Sequence, residues 1–311
     1  MNPKVTIIMA TYNRAHFIVE TLTSIQNQTF QQWECLIIDD GGTDATEEVI
    51  QPILKRDGRF QFYKRQEKYQ KGLPGCRNYG LDLAKGDYII FFDDDDIVHP
   101  QNLSISLNCL ETSKKDFCHY GKSPFINVSP VLNNQDLSIK KEITINDIKD
   151  IVTQKIGFAS CTVLWKISCF NGNKFNEDLH YAEEWECYIR LITNGFSGIM
   201  IDNILYYNRK HPNSNTGEYF NNNPLRKKSY AKAIILVSQN LKIKQLLSYS
   251  IKRYLISKSI GFKEYNLFSK ILKILDLPIY ERLQWLVFFK VLPYRLMIYR
   301  NKRLIENKYN S

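Results

Sequence analysis

The sequence predicts an α/β fold: a Rossmann-like, mixed but mostly parallel sheet flanked by helices, followed by a C-terminal helical extension. Two observations carry this expectation. In the first third of the chain, apolar runs of strand length alternate with stretches of helical spacing, a rhythm that builds parallel sheets covered on both faces. Three of these runs also end in polar clusters, and ligands of such sheets bind beyond the carboxyl ends of the strands.

Taken in order, residues 5–9 (VTIIM) form the first apolar run, followed by Thr11, Tyr12 and Asn13. Ile18, Leu22 and Ile25 stand at i, i+4 and i+7, so residues 17–28 read as a helix. Residues 35–38 (CLII) form the second run and lead into Asp39, Asp40, Gly41 and Gly42. Thr43 or Asp44 then serves as a helix cap, with Glu47 placed to complete a capping box. Residues 60–63 read as a third strand, and residues 74–85 as a helix stopped by Gly86. The fourth run, residues 88–92 (YIIFF), ends in four consecutive aspartates, Asp93 to Asp96. Further on the pattern weakens: residues 131–137 read as surface loop and 157–165 as β-prone. Residues 183–192 read as a helix with Trp185, Ile189 and Ile192 on one face, and the chain after about residue 224 as helical and basic.

The net charge of +10 is unevenly spread. From Arg226 to Lys308 there are 19 Lys/Arg against four acids, a local net of +15, which leaves −5 for the remainder. An acidic body with a basic tail points to two surfaces with two tasks. The seven cysteines are odd in number and show no C-x-x-C spacing, so reduced, buried thiols are expected and a structural zinc site is not. No apolar stretch approaches the ~18 residues of a spanning helix. The first apolar run begins almost at Met1, so neither a leader nor a membrane span is expected.

Asp93 to Asp96 carry the sharpest chemistry. Four adjacent carboxylates at a strand end repel one another and call for a counter-cation. Hard oxygens suit Mg²⁺ or Mn²⁺, ions that commonly bridge carboxylates to substrate phosphates. The bland alternative is a solvated acidic turn in which Asp96 caps the next helix.

Several segments together resolve that choice: residues 5–14 (VTIIMATYNR), 24–30 (SIQNQTF), 37–44 (IIDDGGTD), 75–80 (GCRNYG) and 86–96 (GDYIIFFDDDD). In this order they resemble the family 2 glycosyltransferases closely over residues 4–103, and more weakly to about residue 216. The resemblance implies a GT-A type fold and inverting transfer from a nucleotide sugar, with a glycosyltransferase domain over 1–220 (nucleotide half 1–103, acceptor half 104–220) and a basic helical region over 221–311. It places Thr11, Tyr12 and Asn13 at the nucleotide, with Tyr12 against the base. Asp40 would accept a hydrogen bond from the base, which favours uracil and hence a UDP-sugar. Arg77 falls near base and phosphate. Asp93 and Asp95 match the Asp-x-Asp metal motif for Mn²⁺ or Mg²⁺, and Asp94 replaces the commoner small residue on the nucleotide-sugar side.

Residues 181–190 (YAEEWECYIR) resemble the family's acidic pair followed by Trp. Inverting transfer needs one base to take the acceptor hydroxyl's proton, so Glu184 is the candidate with Glu183 as orienting neighbour, or the reverse. Acids favoured by a helix N-terminus are the bland alternative. Residues 206–216 (YYNRKHPNSNT) resemble the family's loop near the diphosphate, which makes His211 a third metal ligand or phosphate donor and Arg209 or Lys210 a charge neutraliser. The expected acceptor is a hydroxyl of a glycan or lipid-linked glycan, and the transferred group a hexosyl or N-acetylhexosaminyl unit for surface polysaccharide. The basic, aromatic tail favours docking on an anionic membrane surface, hence a cytoplasmic protein peripheral at the inner face of the membrane. No nucleic-acid recognition motif is present. The runner-up reading is a non-catalytic nucleotide-sugar-binding scaffold of a glycan assembly complex. A sugar nucleotidyltransferase would need a Gly-rich, Arg-Lys-containing loop where this chain has ATYNR at residues 10–14.

Overall fold

The fold is taken from a computed structural model that describes residues 2–210 and 215–309. The apolar runs form the sheet and the helical stretches cover it. β1 (Val5–Thr11) pairs in parallel with β2 (Trp33–Asp39), and β2 with β3 (Phe60–Lys64). The chain then returns through α3 (Leu73–Leu83) to lay β4 (Tyr88–Phe92) parallel to β1 on its other side. The strand order therefore reverses between β1 and β4, and a crevice opens at such a switch point. Thr11 and Asp93 lie at its two lips.

β5 (Ile97–Val98) and α4 (Asn102–Ser113) lead to β6 (Phe117–Phe125), β7 (Ile139–Ile143), β8 (Val163–Lys166) and β9 (Gly198–Arg209). They extend the sheet to nine strands in the order β3-β2-β1-β4-β8-β6-β9-β5, with β7 on β9. β8 runs antiparallel to both β4 and β6, so the sheet is mixed as expected. α1 (Ile18–Gln26) buries Ile18, Leu22 and Ile25, the spaced triplet of the sequence. All seven cysteines are unbridged and buried.

Two local expectations are corrected. The capping box does not form: α2 (Thr46–Arg56) starts at Thr46 without a side-chain cap. Asp44 instead ties two loops, accepting from Thr46 N at 3.0 Å and Ala15 N at 3.1 Å, while Glu47 turns outward to Lys64 at 3.1 Å. The β-prone segment 157–165 is strand only from Val163, because a 3₁₀ turn over Ser160–Thr162 precedes it.

Contacts divide the chain into Met1–Ala233 and Ile234–Ser311. In the first, α5 (Ile148–Val152) and α6 (Glu183–Thr193) pack together, and α6 buries Trp185, Ile189 and Ile192. α7 (Asn215–Phe220) follows, and α8 (Pro224–Ile243) carries the chain onward. The second holds α9 (Tyr249–Gly261), α10 (Tyr265–Ile274) and α11 (Ile279–Tyr309) around Leu255, Phe268 and Ile271. Among the described residues, no helix is long and apolar enough to cross a membrane.

Candidate active site

The polar clusters gather at the β1/β4 switch point. Thr11 ends β1 beside Asp39 in register and is buried. Tyr12 follows half-exposed, with the Lys71 ammonium 5.0 Å from its ring centre. Asn13 sits at φ 55°, a left-handed conformation that Asn tolerates better than most residues. Its Oδ1 accepts from Thr43 N at 2.7 Å and Asp44 N at 3.2 Å, so Asn13 holds the turn after β2. Asp39 holds that turn from inside, accepting from Gly41 N and Gly42 N, with Gly41 at φ +86° where a side chain would be strained. Asp40 Oδ1 accepts from Arg65 Nε at 2.6 Å and Gly72 N at 3.2 Å.

The four aspartates divide among three arginines. Arg14 faces Asp94 at 3.2 Å and Asp95 at 3.9 Å. Arg77 faces Asp93 at 3.8 Å. Asp96 is buried and accepts from Arg209 N at 2.7 Å, while Arg209 Nε donates to the Asp95 carbonyl at 2.9 Å. The rest of the Arg209 guanidinium goes to Glu20, and it lies against the rings of Phe17 and Phe125. Arg209 thus fastens the aspartate turn to the end of β9, which leaves it little to offer a leaving group.

Burial, then the Asp95 charge, pushes the Asp94 carboxyl up to about 7. Burial also raises Asp93 and Asp96, with neighbouring carboxylates adding to the rise and Arg77 opposing it at Asp93. The protein's own cations do not fully balance this charge, the condition under which carboxylates hold a hard divalent ion. Oxygens of Asp93 and Asp96 and the Cys161 sulfur lie within 4.8 Å of one another. Burial raises the Cys161 thiol well above its usual range, so it remains neutral and the oxygens are the donors that fit such an ion. His211 lies outside the described residues.

Arg77 joins this cluster to the acidic pair. Projecting from α3, it is 3% exposed and donates to Glu183 Oε1 at 2.9 Å and Ser160 Oγ at 2.9 Å, with Glu184 Oε2 at 3.9 Å. Burial opposes its charge, but Glu183, Glu184 and Asp93 outweigh that and raise its pKa. Glu183 is buried against this guanidinium. The Glu184 side chain keeps 30% of its surface exposed and accepts from Ser160 N at 3.1 Å. Burial and then the Glu183 charge raise the Glu184 carboxyl. Both stand at the start of α6, whose preceding Ala182 is held at φ 62°.

Sequence reasoning assigned no role to Arg14, Arg65, Ser160 or Lys122. Lys122 on β6 follows a bulge at Gly121 and brings its ammonium near Cys161, Glu184, Asp93 and Asp96. Arg14 lies inside the first motif, residues 5–14. The other three lie outside the motifs, and only the fold brings them in.

This sheet, with its switch-point crevice and carboxylate turn, is the GT-A fold of glycosyltransferases. It superposes on Staphylococcus aureus TarS residues 1–349 in complex with UDP-GlcNAc, with TM-score 0.67, 18% identity, and 87% of this chain and 79% of that one covered. The mannosyltransferase PcManGT of Pyrobaculum calidifontis, in complex with GDP-Man and Mn²⁺, aligns with TM-score 0.54 and 16% identity over 98% of this chain and 86% of that one. The sequence model of glycosyl transferase family 2 matches residues 6–160, and the chain belongs to that family. A GalNAc(5)-diNAcBac-PP-undecaprenol beta-1,3-glucosyltransferase of Campylobacter jejuni is 31% identical over 194 residues, 61% of this chain and 60% of the relative. The chain spans 31% of the length of two uncharacterized Rickettsia glycosyltransferases that it also matches.

Proposed function

We propose that this protein is an inverting, cation-dependent glycosyltransferase that moves a hexosyl or N-acetylhexosaminyl unit from a UDP-sugar to a hydroxyl of a glycan or lipid-linked glycan in surface polysaccharide synthesis. One observation carries the reading: a single buried guanidinium, Arg77, faces Asp93 at 3.8 Å and Glu183 at 2.9 Å, uniting a carboxylate turn suited to a cation with an acidic pair suited to a base. The undecaprenol-linked substrate in the name of the Campylobacter relative supports a lipid-carried acceptor, and the UDP-GlcNAc bound by TarS supports a UDP donor. The basic C-terminal region would then keep the protein at the cytoplasmic face of the membrane, against anionic lipid.

In this reading Tyr12 lies against the base, with Thr11, Asn13, Asp40 and Asp94 around the nucleotide sugar and Arg65 orienting Asp40. Asp93 and Asp95 would hold Mn²⁺ or Mg²⁺, which supplies positive charge against the departing diphosphate. His211 is proposed to assist there. Glu184 is the base. Its partly exposed carboxylate takes the acceptor hydroxyl's proton as that oxygen bonds to the anomeric carbon. The bond from that carbon to the diphosphate oxygen breaks on the opposite face, and configuration inverts. Glu183, neutralised by Arg77, orients the pair, and Arg77 keeps base and carboxylate turn at fixed separation.

Calorimetric titration with UDP, GDP and dTDP, each with and without Mn²⁺, tests the donor side. Mn²⁺-dependent UDP binding that disappears in Asp95→Ala is expected. Absence of binding to any of the three with Mn²⁺ present would overturn the reading.

A further inference from the structure

The outer face of α11 has no work in the reading above. Ile279, Tyr280, Leu283, Val287, Val291, Tyr294 and Met297 are all exposed, from 42% at Val291 to 80% at Ile279. At about 100° per residue they fall within one arc of about 120°, a continuous apolar stripe. The opposite side of the helix carries Trp285, Phe289 and Leu292, all less exposed, with Phe289 stacked on Phe268 of α10 at 4.5 Å and 16°. α11 is therefore apolar on two faces, and its own unit covers only one. From Ile279 to Met297 the stripe runs about 27 Å, more than a scatter of single exposed residues explains.

Charge identifies what would cover it. Residues 234–311 carry 15 Lys/Arg against four acids, a net of +11. A second copy would bring two such surfaces together, whereas a bilayer rich in anionic headgroups complements them. The charges on α11 itself are placed for that arrangement. On the same helical wheel Lys290 lies inside the arc near one edge, where its long stem lets the ammonium reach the headgroups, and Arg295 and Arg282 stand about 40° and 60° beyond its two edges. An amphipathic helix of this kind lies in the interfacial plane.

We infer that the Ile279–Met297 face of α11 is the surface that docks on an anionic lipid bilayer, lying in its interface without crossing it. This deepens the membrane reading given above and rests on it only for the location of the acceptor. The test is flotation of the full-length protein with phosphatidylglycerol-containing vesicles and with pure phosphatidylcholine vesicles, without acceptor or sugar nucleotide, so its outcome is separate from the UDP titration. The parent is expected to float with the anionic vesicles, less so at high salt. Leu283→Glu with Val287→Glu is expected to cut the bound fraction at least tenfold without moving the melting temperature, since both side chains are exposed. A parent that ignores anionic vesicles, or a double variant that floats as well as the parent, overturns the proposal. So does a concentration-dependent dimer, seen by sedimentation without lipid, that the double variant dissolves: it would give the stripe to a second copy.

Discussion

Replacing Arg77 by Met tests how the site is held together. The substitution keeps most of the side-chain volume but removes the donors at 2.9 Å to Glu183 and at 2.9 Å to Ser160. Glu183 is 6% exposed, so its carboxylate is left with neither solvent nor a counter-charge. Breaking a buried pair by removing one partner costs about 3–5 kcal/mol, most of it the penalty on the stranded charge. That origin gives a sharper expectation. In Arg77→Met with Glu183→Leu the stranded charge is gone, and the double variant should recover about 2 kcal/mol or more relative to Arg77→Met alone. Urea unfolding followed by tryptophan fluorescence reads this out, because three of the four tryptophans, Trp33, Trp165 and Trp185, are buried in the first unit. If Arg77→Met costs less than about 1 kcal/mol, or the double variant is no more stable than the single, Arg77 does not bind the two acidic clusters together.

Two further outcomes follow. His119 is buried, its Nε2 lies 3.2 Å from Gly157 O, and burial lowers its pKa to about 4 from 6.5. The unfolded chain then binds a proton that the folded chain refuses, so this contribution is complete above pH ~6.5 and is lost as pH falls toward ~4, about 3 kcal/mol in all. The difference in urea stability between parent and His119→Gln, measured across that window, should show this slope, and a flat difference would refute it. Glu184→Gln should lower kcat by about 10²–10⁴ while leaving Mn²⁺-dependent UDP binding intact. Because burial and Glu183 raise the Glu184 carboxyl, the acidic limb of the parent's kcat/KM profile should lie above the ordinary carboxylate range, with activity lost as pH falls through it. A Glu184→Gln enzyme within tenfold of the parent would move the base elsewhere.

Much of the nucleotide half was legible because its signals are local. The i, i+4, i+7 triplet of α1 and the apolar runs of β1, β2 and β4 each decide their own conformation, and their carboxyl ends then share one edge by topology alone. The failures share a different cause. Asp44 has the spacing of a cap, but its carboxylate is drawn to Ala15 N, 29 positions away in sequence. The partners that Arg77 bonds, Glu183 and Ser160, stand 106 and 83 positions away, and no local pattern announces that pairing. Ser160 and Lys122 come from segments with weak periodicity, and a 3₁₀ turn and a β-bulge deliver them. Neither feature leaves a pattern in the residues that form it.

The fastening of the aspartate turn by Arg209 bears on how this fold can diversify. Its backbone N–H holds Asp96, its Nε holds the Asp95 carbonyl, and its other end is anchored on Glu20 and two aromatic rings. The last residue of β9 therefore completes a turn formed more than a hundred positions earlier. A natural seam falls only after Ala233, where the contacts divide, because Ser229 still accepts from the N–H groups of His180 and Tyr181 just ahead of the acidic pair. Sequence downstream can be exchanged, lengthened or replaced by another module without loosening the carboxylates, whereas a cut made before Arg209 would remove a wall of the site along with the appendage.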